Sequence, residues 1–158
     1  MRFVQFAKRL GGASIWARAS VSARDERVSG LLRWGFPWLD VCLILFGTGG
    51  LLYGIPALRD VFSPAYAQSW SGGLAAVALV CLIGVAFPQR MWRVEMYAKS
   101  LLVMMLAVYG CALIAAGVLV DPDDYGRSAV AFVPVALIGP IGWRVFDIPR
   151  DAKKNGWH

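Results

Sequence analysis

The sequence predicts an all-α polytopic membrane protein, with four transmembrane helices behind an amphipathic N-terminal segment. Three observations predict it. Hydrophobic residues make up 58% of the 158-residue chain and charged residues only 16%, against roughly 45–50% and 25% in a typical soluble domain. The apolar residues form long blocks, without the polar interruption every turn that a soluble amphipathic helix shows. The basic residues are also lopsided: a four-span layout puts fourteen of the sixteen Lys and Arg on one side.

Residues 1–37 contain no spanning run. Phe3, Phe6, Ala7 and Leu10 recur at helical spacing opposite Arg2, Gln5, Lys8 and Arg9, the pattern of a short basic helix lying in the membrane interface. Gly11-Gly12 ends it, and a second short helix is expected from Ser22 to Arg33, where Ser22 and Asp25 have capping-box spacing. An Arg-containing amphipathic start also resembles a transit peptide, but Asp25 and Glu26 argue against one.

The transmembrane domain is expected over 38–146. Span one covers 38–58, with a charge-free stretch from Val41 to Leu58 of 18 residues; that is about 27 Å of helix against a hydrocarbon core of about 30 Å. Span two covers 69–87, approached from Pro64 and stopped by Pro88. Span three covers 92–120. Span four covers 128–146 and contains Pro134 and Pro140, each of which removes a helix hydrogen bond, although membrane helices tolerate proline where neighbours resatisfy the backbone. Residues 147–158 form a tail. Ala65-Tyr66-Ala67 has the form of a signal-peptidase site at Ala67, but the apolar run before it is long and Arg59 and Asp60 intervene.

Seven bases precede span one, three (Arg90, Arg93, Lys99) join spans two and three, and four (Arg144, Arg150, Lys153, Lys154) follow span four. Only Arg59 and Arg127 fall on the other side. The positive-inside rule then puts both ends in the cytoplasm, in the cell's inner membrane. An odd number of spans would separate the two basic ends, so the bias also supports span four. Trp34, Trp38, Trp92, Tyr97, Trp143 and Phe146 are expected in an inner aromatic belt, and Tyr66, Trp70 and Tyr125 in an outer one. The net charge of +6 and the run Arg33-Trp34-Gly35-Phe36-Pro37-Trp38 could suggest nucleic acid. Bases flanking apolar spans are better explained by the lipid bilayer and its anionic headgroups.

Residues able to carry chemistry are few. The only histidine is His158, which excludes histidine-ligated haem, zinc or copper in the spans. Cys42, Cys81 and Cys111 lie singly in apolar blocks and are read as small apolar residues. No hydrolase, nucleotide-binding or metalloprotease motif occurs, so neither an enzyme nor a cofactor is expected. Asp121-Pro122-Asp123-Asp124-Tyr125-Gly126 is read as a turn, being shorter than a calcium-binding loop.

Asp40, Glu95 and Lys99 are read as interfacial charges. Asp40 is close enough to the surface to reach water, Lys99 snorkels, and Glu95 pairs with it at i, i+4. The alternative is a buried coupling site for protons or ions. Gly50 and Gly54 make a GxxxG step, with Gly47 and Gly49 nearby, and Ala107, Cys111 and Ala115 make a small-residue stripe in span three. Such stripes let helix backbones approach, within the bundle first and between copies second.

In layout, a small Arg-, Ala- and Trp-rich chain with basic ends and four short spans resembles the small membrane proteins of phages that infect high-GC bacteria. These include holins, which open the inner membrane at lysis, and exclusion proteins. The resemblance implies no particular functional residue. It leads to a holin-like, self-associating, membrane-permeabilising protein as the expected function. The alternatives are an accessory or scaffold subunit docked on a larger membrane partner, and a phage exclusion protein.

Overall fold

The computed structural model describes residues 31–120 and 129–156. The first expected N-terminal helix, the second one up to residue 30, and the acidic 121–126 turn lie outside those residues. Among the described residues there is no strand, and four helices are long and apolar enough to cross a membrane.

A π-helical turn, Leu31–Gly35, leads into α1, Phe36–Tyr53. Pro37 suits this start, because the first turn has no intrahelical use for its missing N–H. Span one ends five residues short of the predicted Leu58. Gly54 takes φ +81°, ψ 161°, a backbone state that is essentially glycine's own. Pro56 then starts the short helix α2, Pro56–Val61. The charge-free run through Leu58 thus contains a sharp turn and a second helix. Leu58 is fully buried with Ile55, while Ala57 packs with Leu113, Ala116 and Ala131. Together they close that end of the bundle.

Helix α3, Pro64–Ala86, begins five residues earlier than predicted. Ser63 caps it by accepting a hydrogen bond from the Tyr66 N–H at 3.3 Å, with Pro64 next to the cap. Only Phe87 separates α3 from α4, Pro88–Ala115, which continues as a π-helical turn through Val120. A kink at Met91 (φ −120°, ψ 15°) divides the first turn of α4 from the rest. Helix α5 spans Phe132–Asn155, nine residues beyond the predicted end, so most of the expected tail is helix. Pro134 sits in its first turn, where proline is tolerated, and Gly156 terminates it with φ +65°. Pro140 and Pro149 lie inside it.

Buried positions share one rhythm. They fall at Phe36, Asp40, Leu43, Gly47 and Gly50 in α1, and at Ala67, Ser71, Leu74, Ala78, Cys81 and Val85 in α3. The steps alternate between four and three residues, the spacing by which near-parallel helices keep one seam in contact. In α4 the buried residues include Glu95, Lys99, Leu102, Leu106, Gly110 and Leu113. In α5, Pro134, Ile141, Arg144, Ile148 and Asp151 follow the same phase. Consecutive spans pack along their length, α1 on α3, α3 on α4 and α4 on α5. Spans α1 and α5 do not, and an apolar seam of about 210 Å³ lies between them, lined by Leu39, Cys42, Leu43 and Phe46 of α1, Leu106 and Tyr109 of α4, and Leu137 of α5.

The closest approach is α1 on α3. A Cβ on Gly47 would lie 2.7 Å from the Ala75 nitrogen and 2.8 Å from the Ser71 carbonyl oxygen. One on Gly50 would lie 2.8 Å from both Ile55 and the Ser71 hydroxyl. Gly50 therefore packs inside the bundle, Gly47 is the tighter contact, and Gly54 serves as the turn and not as the second step of a packing motif. The Ala107, Cys111, Ala115 stripe lies one residue out of phase with the packing face. Cys111 is exposed and the other two half-buried, and Gly110 is the small residue facing Pro134 and Val135 of α5.

Candidate functional site: a buried ion-pair layer

Charged side chains from three spans meet at one level of the bundle. Lys99 Nζ donates to both carboxylate oxygens of Asp40 at 3.3 Å, and neither side chain has any exposed surface. The ammonium also lies 5.2 Å from the centre of the Phe36 ring, within range of a cation–π contact. One turn away on α4, Glu95 Oε1 accepts from Arg144 Nε at 3.1 Å. Arg144 Nη1 reaches Asp151 at 2.9 Å and Asp147 at 3.7 Å on its own helix. Glu95 is fully buried, and its Oε2 has no hydrogen-bond partner among the described residues.

Local sequence placement explains the layer. Asp40, Glu95, Lys99, Arg144 and Asp151 each occupy a core-facing position in the four–three rhythm, so helix packing turns them inward. Gly84 of α3 makes room: a Cβ there would lie 2.8 Å from Glu95 Cβ and 3.0 Å from its Cα. Cys81, fully buried in the shared core, is α3's contribution at this level.

This arrangement corrects the interfacial reading of Asp40, Glu95 and Lys99. Asp40 does not reach water, Lys99 does not snorkel, and Glu95 and Lys99 bind different partners on different helices. Residues four apart on a helix can face each other, but each here finds an opposite charge across the core.

Arg144 is expected from the sequence only as one of the bases that follow span four, and Asp147 and Asp151 are not singled out there at all. Their phase relative to Ile141 and Ile148 was the available clue. Trp70, expected in an outer belt, is 7% exposed and turned inward. It stacks with Tyr109 at 5.5 Å, and Tyr109 with Phe46 at 5.4 Å, linking three spans. Trp34, Trp38, Tyr97 and Phe146 do face outward at the charged end, and Tyr53, Tyr66 and Phe132 at the other.

Chemically, the layer ties α1 and α5 to α4 through paired charges. Truncating one member of a buried pair leaves its partner uncompensated in a low-dielectric setting. Its carboxylates are taken by bases, and among the described residues no group of three or more His, Cys, Asp or Glu is placed to hold a metal ion. Compared with known proteins, the chain matches no family model, no curated protein and no solved structure.

Proposed function

We propose that this is a non-enzymatic integral membrane protein that associates laterally with further copies of itself and permeabilises the bilayer, in the manner of the holins its layout resembles. The observation that carries this reading is the apolar seam between α1 and α5, the two spans that do not pack along their length. Permeabilisation requires spans that associate and a polar surface that can be turned toward water; it requires no reacting group. A second copy seated in the seam would contact α1 and α5, and separating those helices from α4 would turn the Asp40–Lys99 and Glu95–Arg144 pairs toward a wet path. In this reading both ends are cytoplasmic and the basic 1–37 segment rests on anionic headgroups of the inner membrane.

Cys42 is exposed and lines the seam, which makes the reading testable. A chain with Cys81 and Cys111 replaced by Ala should cross-link between copies through Cys42 in membranes, and induction of the native chain should collapse membrane potential abruptly. A native chain that is harmless at high expression and purifies with a fixed stoichiometric partner would defeat the proposal. The second reading, an accessory or scaffold subunit, would then stand. Its specific support is the 37-residue N-terminal segment with seven bases, a length of chain suited to docking.

A further inference from the structure

On the outer surface of the bundle, α3 and α4 leave between them an apolar groove of about 420 Å³ that opens outward. Ala76, Val80, Val94, Tyr97, Ala98 and Leu101 line it. Val94, Tyr97 and Leu101 follow each other on one helical face at i, i+3 and i+7. Toward the charged end that face leads to Arg93, one turn before Tyr97, and Arg90 follows across the kink at Met91; both are exposed. Neither has an ion-pair partner among the described residues; Arg93 lies over the Trp92 ring at 5.1 Å. Tyr97 is 69% exposed, between the apolar groove and the two guanidinium groups.

We propose that this groove binds one anionic phospholipid, an acyl chain lying between α3 and α4 and the phosphate held by Arg90 and Arg93. Charge complementarity selects this occupant. A transmembrane helix of a partner would fill the apolar groove but leave two cations at its mouth unanswered. A phospholipid supplies an apolar chain and an anionic head at the depth where Trp92 and Tyr97 mark the interface. Guanidinium groups bind phosphate through paired N–H donors. The inference goes beyond permeabilisation and is independent of it: it concerns the closed single bundle and holds equally for an accessory subunit.

The test uses the full chain, purified in detergent, with phosphatidylglycerol and phosphatidylcholine added in turn and bound lipid counted by native mass spectrometry. Native protein should retain one phosphatidylglycerol preferentially. Arg90→Gln with Arg93→Gln should weaken phosphatidylglycerol binding about 30-fold, at about 1 kcal/mol per base, and phosphatidylcholine binding much less, because its choline offsets the phosphate charge. Ala76→Trp, which fills the exposed groove, should weaken both. Lys153→Gln with Lys154→Gln, which removes two exposed bases from the α5 end, should change neither. The proposal is overturned if the Lys pair matters as much as the Arg pair, since attraction would then be diffuse. It is equally overturned if Ala76→Trp has no effect, or if the native chain binds the two lipids alike. The melting temperature of each variant, measured in parallel, separates lost binding from lost folding.

Discussion

Lys99→Met isolates the energetic meaning of the buried layer. At 3.3 Å and an effective dielectric of about 20, the attraction between Lys99 and Asp40 is about 5 kcal/mol. Much of it is offset by the desolvation of two fully buried charges. Removing only the ammonium strands Asp40, which has no other ion-pair partner among the described residues, and such a break costs about 3–5 kcal/mol. Replacing both partners, as in Asp40→Leu with Lys99→Met, leaves no buried charge and should fall within about 1 kcal/mol of the native chain. Asp40→Leu alone strands the Lys99 ammonium at a similar cost, so a double-mutant cycle should return a coupling of about 6–10 kcal/mol. The assay is reversible unfolding in mixed micelles for all four chains. If Lys99→Met lies within about 0.5 kcal/mol of native, Asp40 is reached by water or headgroups and the buried layer does not exist as described.

Gly47→Leu should destabilise by about 1–3 kcal/mol through overpacking, because its Cβ would meet the Ala75 and Ser71 backbone; Gly49→Leu, with nothing within 4 Å, should be near neutral in the same unfolding assay. Arg144→Gln should lower stability by several kcal/mol, since it unpairs Glu95 and removes a partner from Asp151, whereas Arg150→Gln, at an exposed position, should change it by less than about 0.5 kcal/mol. Reporters fused after Phe62 should appear outside and reporters after Gln89 and His158 inside; a C-terminal reporter found outside would contradict the four-span count.

The existence of four spans was legible because lipid exposure demands long apolar runs, and the runs were visible. Their ends were less so. Hydropathy treats Ile55-Pro56-Ala57-Leu58 as a continuation of span one, because the side chains are apolar; it is Gly54, at φ +81°, that turns the backbone there. At the other extreme, Arg144 and Asp147 look like the end of a span to any rule that counts charge. Helix α5 continues through them to Asn155, because Arg144 is neutralised by Glu95 across the core and by Asp147 and Asp151 on its own helix. Charge need not end a helix where opposite charges meet it.

The site was harder to read than the fold for a related reason. In a soluble helix the buried face is the apolar face, and periodicity shows it directly. In α1 and α3 the lipid-facing residues are as apolar as the buried ones: Leu45 and Leu52 point outward while Leu43 points inward. Periodicity of hydrophobicity therefore carries almost no signal, and the informative residues are those that lipid would reject or that permit close approach. Phe36, Asp40, Leu43, Gly47 and Gly50 fall in one phase, and that phase mixes a charge, two glycines and two large apolar residues, a combination that only a protein interior would collect. The same reasoning applied to Glu95, Lys99, Leu102 and Leu106 puts both charges of α4 on its packed face. A charge that shares the phase of glycine and leucine in a membrane span is turned toward another helix. Its partner is to be sought in the matching phase of a neighbouring span, here Asp40 for Lys99 and Arg144 for Glu95.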